Sequence, residues 1–109
     1  MKTCEQYYQL AVYIPKTHVD IVKAALFAAG AGKIGHYDCC CFTISGRGEF
    51  RPRPGSNPFI GTSNRTTYVD EEKVEMIFPE SVKTEVIAAL RKSHPYEEPA
   101  FHYFPVAIN

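Results

Sequence analysis

The chain has no net charge, no long apolar run and no spaced cysteine pair, and each absence excludes a class of protein. Lys and Arg total 12 against 12 for Asp and Glu, so the basic surplus of a nucleic-acid binder or an anionic-membrane binder is missing, and neither partner is expected. No charged leader followed by an apolar core opens the sequence, and no apolar stretch approaches the length of a bilayer span. A cytoplasmic protein is the expectation. Cys4, Cys39, Cys40 and Cys41 contain no CxxC spacing, and neighbouring strand residues point to opposite faces and cannot readily bridge, so reduced thiols are expected.

The length of 109 residues is that of one domain, 1–109, with a single core and no room for a second lobe. Charge is uneven along it. Between residues 31 and 69 the bases Lys33, Arg47, Arg51, Arg53 and Arg65 face only Asp38 and Glu49. From 70 to 98 acids dominate, with Asp70, Glu71, Glu72, Glu75, Glu80, Glu85, Glu97 and Glu98 against Lys73, Lys83, Arg91 and Lys92. A self-complementary contact between copies could use this asymmetry.

Residues 6–14 alternate, Tyr8, Leu10, Val12 and Ile14 on one face and Tyr7, Gln9, Ala11 and Tyr13 on the other, which is strand period. Thr17 is a plausible N-cap, with Asp20 three residues on, for a helix whose apolar stripe is Val19, Val22, Ala25, Leu26 and Ala29 and whose stop is Gly30. A strand is expected over 36–45, a Gly- and Pro-rich loop over 46–61, and a third strand over 68–78. Ser81 can cap a second helix with the stripe Val82, Val86, Ala89 and Leu90, which His94 and Pro95 end. A last strand covers 100–108. The order is βαββαβ, an α+β class whose ferredoxin-like solution lays two helices on one face of a four-stranded antiparallel sheet. The other face is left open, with Tyr7, Ala11, Tyr13, Cys39 and Cys41 as its candidate residues.

The densest chemistry lies in Ser93-His94-Pro95-Tyr96-Glu97-Glu98-Pro99. Pro95 and Pro99 restrict the residues before them to extended geometry, which makes the segment a stiff corner. Its residues either cap a tight crossing and face water, or line a cleft in which His94, Tyr96, Glu97 and Glu98 meet a ligand; His94 with Glu97 or Glu98 would also suit a borderline divalent metal. In the loop, glycines expose amides while Arg47, Arg51 and Arg53 bring positive charge, the ingredients of an anion nest, although such an arm serves equally as an oligomer clasp. Gly30, Gly32 and Gly35 follow a helix and precede a strand, opposite to the order of a dinucleotide fingerprint, so a C-cap and turn are expected. The cysteines read as buried apolar residues, since alternation lets only Cys39 and Cys41 share a face. His36 and His102 are isolated, His18 opens a helix, and no nucleophile, base and orienting acid assemble into a triad.

The runs Gly30-Ala31-Gly32-Lys33-Ile34-Gly35-His36-Tyr37, Cys41-Phe42, Gly46-Arg47-Gly48-Glu49-Phe50-Arg51-Pro52, Gly55-Ser56-Asn57-Pro58-Phe59-Ile60-Gly61 and His94-Pro95-Tyr96-Glu97-Glu98-Pro99-Ala100 resemble the inserted domain of the Nif-three-like dinuclear-metal family. His-Pro-Tyr-Glu also resembles the CutA-type divalent-ion tolerance proteins. Both resemblances imply a ferredoxin-like domain shared with PII signalling proteins and often trimeric. The two flanking halves that hold the family's metal ligands are not in this chain, so its hydrolase-like activity is not carried over. The expectation is a non-enzymatic, oligomeric binding or regulatory domain, trimeric or dimeric, that takes a small anionic ligand or a divalent ion at clefts between subunits. Lys33, Arg47, Gly48, Phe50, Arg51, Gly55, Gly61, His94, Tyr96, Glu97 and Glu98 are its candidate binding residues. A purely structural or protein-interaction module is the alternative.

Overall fold

A computed structural model describes residues 5–108. Strand β1 (Tyr7–Pro15) leads through a 3-10 turn (Lys16–His18) into helix α1 (Val19–Ala28). Strands β2 (Phe42–Phe50) and β3 (Thr67–Pro79) form a long hairpin, a second 3-10 turn (Glu80–Val82) opens helix α2 (Lys83–Ser93), and β4 (Phe101–Val106) closes the sheet. The four strands lie in the order β2-β3-β1-β4, all antiparallel. This is the expected ferredoxin-like arrangement, and no helix among the described residues is long and apolar enough to cross a membrane.

The alternation of β1 sets the core. Leu10, Val12 and Ile14 turn to the helices and are fully buried, paired in register with the row that carries Met76 and Val74 of β3, and Val22, Leu26, Val86 and Leu90 cover them from α1 and α2. Helix α1 stops as its glycine predicts. Gly30 takes φ +112, its N–H donates to Phe27 O, and the N–H of Ala31 donates to Leu26 O, a Schellman closure. The expected N-caps do not form. Each helix is entered through a 3-10 turn without a side-chain cap; the Thr17 hydroxyl meets His18 Nδ1 at 2.8 Å, and the Ser81 N–H donates to Glu5 Oε2 at 3.1 Å.

The largest departure from the sequence expectation is in β2, which starts at Phe42 rather than 36 and runs on to Phe50 through both glycines expected to break it. Residues 34–41 curl instead. Ile34 and Tyr37 exchange backbone hydrogen bonds, Cys39 sits at φ +54, and Cys40 N–H donates to Gly32 O, so backbone pairing local to the turn wins over the alternating side-chain pattern. Cys39 is exposed, whereas Cys40 and Cys41 are half-buried and Cys41 touches the core, so burial holds only in part; these three thiols are free, and Cys4 lies outside the described residues.

Cys39 and Cys41, expected on the open sheet face, therefore lie off it, before β2 begins. Its β2 row is Phe42 and Ile44, 64% and 45% exposed, and Phe104 of β4 adds an aromatic that is 42% exposed. The face is not free of charge either, because Lys73 and Glu75, whose register partners are Tyr13 and Ala11, form an ion pair at 3.2 Å. The β2–β3 hairpin outruns β1: Pro15 pairs with Glu71, while β3 begins four positions earlier at Thr67. The molecule is accordingly long, 56 × 25 × 21 Å.

Candidate functional site

The corner after α2 is fixed by one imidazole. Pro95 holds His94 extended (φ −74, ψ 136), its backbone N–H closes on Leu90 O, and its ring turns inward until the residue is 5% exposed. Nε2 lies 2.8 Å from Tyr13 O, and the Tyr96 N–H donates to Nδ1 at 3.2 Å. A carbonyl can only accept and an amide N–H only donate, so these partners assign the neutral Nε2–H tautomer. Burial holds the His94 pKa below its ordinary value, and the nearby His18 adds to this; the bond to Tyr13 O works against it. Both ring nitrogens are engaged, so His94 is a strut between β1 and the corner rather than a ligand offered to the surface.

Tyr96 carries the corner to the hairpin arm. Its ring lies tilted at 5.0 Å from that of His94 and reaches Phe50 at 5.9 Å and Phe59 at 6.4 Å, while its hydroxyl donates to Glu71 Oε2 at 3.2 Å. Burial first, then the Glu71 charge and hydrogen bond, push its pKa up to about 12, so the phenol stays protonated at neutral pH. Glu97 Oε1 accepts the Asn57 N–H at 3.0 Å, and Phe59 meets the His18 ring edge-on at 5.5 Å. The connection 51–66 is thus folded back against the corner at several points, and Pro52 within it is buried.

Between arm and corner lies a cavity of about 610 Å³. The arm and its loop contribute Gly48, Glu49, Phe50, Arg51, Pro52, Arg53, Ser56, Pro58, Phe59 and Ile60. The sheet contributes Tyr13 and Glu71, and the corner Tyr96, Glu97, Glu98 and Ala100. Of the residues singled out from the sequence, Gly48, Phe50, Arg51, Tyr96, Glu97 and Glu98 line it. Lys33 does not, being exposed on the turn after α1. Arg47 lies elsewhere, its guanidinium 4.9 Å from the centre of the Tyr68 ring. Gly55 and Gly61 are positive-φ turns outside the lining, the second tight against Thr67 and Pro52, and His94 stands behind Tyr96. With His94 occupied, the trio His94, Glu97 and Glu98 is not assembled as a ligand set, and no cluster of three or more His, Cys, Asp or Glu suited to a metal occurs among the described residues.

Tyr13, Glu49, Arg53, Phe59 and Glu71 are lining residues that the candidate set did not include. Phe59 carried a signal, an aromatic set among prolines and glycines. Glu71 carried none, because only the strand register brings it opposite Gly46 and beneath Tyr96.

No protein-family model matches the chain. Among curated relatives, a GTP cyclohydrolase 1 type 2 homolog of Halalkalibacterium halodurans is 50% identical over 105 residues, which is 96% of this chain and 28% of that protein. The solved structure of a Bacillus cereus protein related to NIF3 superposes with a TM-score of 0.82 at 36% identity, covering 96% of this chain and 27% of the other. The divalent cation tolerance protein CutA of Archaeoglobus fulgidus shares the fold, with a TM-score of 0.66 at 11% identity over 94% of this chain and 86% of its own. The chain is therefore a homologue of one segment, 27% of the length, of a NIF3-related protein, folded as a CutA-like βαββαβ domain.

Proposed function

We propose that the chain is a non-enzymatic binding module that holds a small ligand in the cleft between the hairpin arm and the HPYEEP corner. The carrying observation is the cavity itself: about 610 Å³, within the range of roughly 300–1,000 Å³ typical of small-molecule sites, with Phe50, Phe59 and Tyr96 forming an aromatic wall. The bond from the Tyr96 hydroxyl to Glu71 and that from the Asn57 N–H to Glu97 tie the wall and its loop in place before any ligand arrives. Arg51 and Arg53 at its edge provide forks for an anionic group. A binding role is favoured over turnover because the hydroxyl, phenol and imidazole at the cleft and its corner are already committed. The Ser56 hydroxyl donates to Arg53 O, the Tyr96 phenol is held protonated, and the imidazole of His94 is spent on backbone. The activity named for the curated relatives belongs to proteins of which this chain spans 24% to 28%.

A homo-oligomer, trimer or dimer, goes with this reading. Phe42 and Ile44 on β2 and Phe104 on β4 are exposed apolar side chains at the two edges of the open sheet face, which a second copy would cover. The same exposed side chains favour the second reading, an interaction module without a small ligand. Titrating the purified chain with nucleoside phosphates, aromatic carboxylates and divalent cations, with thermal stability as readout, separates them. Saturable stabilisation that Arg51→Ala with Arg53→Ala abolishes supports the ligand module. No saturable response across the panel supports the interaction module, and metal-dependent turnover that survives repurification would overturn the non-enzymatic reading.

A further inference from the structure

Four carboxylates line the cleft, Glu49, Glu71, Glu97 and Glu98, against two guanidiniums, Arg51 and Arg53. None of the six belongs to an ion pair; the one ion pair among the described residues is Lys73–Glu75 on the open sheet face. The hydrogen bonds that do reach these acids come from neutral donors. Glu71 accepts one phenol and Glu97 one backbone N–H, which leaves acceptor capacity on both and no cationic side chain paired with any of the four. The carboxylates share their cavity with the rings of Phe50, Phe59 and Tyr96, whose π faces also attract positive charge.

A simple anion satisfies the arginines but must enter against a surplus of like charge, and that repulsion strengthens as the site loses water. A simple organic cation satisfies the acids and the rings but leaves both arginines without a partner. We propose that the ligand of this cleft is a zwitterion of amino-acid size, with a protonated nitrogen directed at the carboxylates and aromatic faces, an anionic group at Arg51 and Arg53, and an apolar body between them. This rests on the small-ligand reading of the cleft and narrows it to one class of molecule.

Three probes that share one phenyl ring test it: L-phenylalanine, phenethylamine and 3-phenylpropionate, each titrated into the uniformly 15N-labelled full chain at low ionic strength and followed through the backbone amides. The expected result is saturable shifts at Phe50, Phe59 and Tyr96, with phenylalanine about tenfold tighter than 3-phenylpropionate, an advantage of about 1.4 kcal/mol, and phenethylamine between them. Glu98→Gln is expected to weaken phenylalanine and phenethylamine and to leave 3-phenylpropionate unchanged or tighter. If 3-phenylpropionate binds as tightly as phenylalanine, the cationic half is overturned while the ligand cleft stands. If phenethylamine equals phenylalanine, the anionic half is overturned. If none of the three shifts the cleft amides, the zwitterion is overturned, and the nucleoside phosphate and cation panel then decides the cleft reading separately.

Discussion

The Glu71 carboxylate occupies the space that a side chain on Gly48 would fill: a Cβ there would collide with its Oε1 and Cδ. From that niche Glu71 receives the Tyr96 hydroxyl. One missing side chain on the arm therefore positions the acid that locks the corner.

Gly48→Ala is expected to displace the flexible end of Glu71 and break its bond to Tyr96, lowering stability by about 1 kcal/mol, the worth of one part-buried hydrogen bond. Tyr96→Phe should lose a similar amount, and the double variant should lose little more than either alone, because both remove the same interaction. Urea denaturation of the three variants checks this; fully additive losses would contradict the shared niche.

The buried, neutral His94 gives a signed pH dependence. Its folded pKa is lowered, so in mildly acidic solution the unfolded chain binds a proton there that the folded chain resists. This contribution to stability is fully present above the ordinary histidine value of about 6.5 and is lost as pH falls through that value towards the lowered one. The urea midpoint is expected to decline over that window in the native chain and less steeply in His94→Gln. Direct NMR titration of His94 at or above pH 6.5 would refute the assignment.

Pro95→Ala releases the restriction that keeps His94 extended. The expected loss is about 0.5–1 kcal/mol, mainly through a less constrained unfolded chain, accompanied by faster amide exchange at Tyr96, whose N–H bonds the imidazole. An unchanged midpoint and unchanged exchange would show that the corner is held without the proline.

Charge placed on the open face should oppose self-association. Ile44→Asp and Phe104→Asp put carboxylates at exposed apolar positions on β2 and β4 and are expected to shift the chain towards monomer in light scattering at moderate salt, with the fold retained by circular dichroism. A native chain that is already monomeric would remove the oligomer from the proposed function.

The core was legible in the sequence because its signal is periodic and local. The alternation over Leu10, Val12 and Ile14 and the helical stripe through Val22 and Leu26 each announce a buried face within a few residues, and all five are buried. The start of β2 was misread because Tyr37, Cys39 and Cys41 alternate like a strand, whereas the chain there closes on itself through Gly32, Ile34 and Tyr37. Gly46 and Gly48 looked like breakers, yet both pair within β2, and Gly48 leaves the space that a cross-strand carboxylate fills. The corner was visible through its prolines and half of the cleft through its residue types. The inward turn of His94 and the arrival of Glu71 depend on contacts across 81 and 25 positions of sequence, which no local pattern carries.

The sheet narrows from four strands at Ala11 and Val12 to two beyond Pro15, so the cleft has one stiff wall and one compliant wall. The corner is braced against β1 by His94, while the arm opposite is a two-stranded ribbon that holds itself mainly through its own ladder. Bending of that ribbon would alter the aperture of the cleft without disturbing the core. Occupancy of the cleft and the posture of the arm are in that case one mechanical variable, and anything that grips the tip of the arm from outside would be felt at Tyr96.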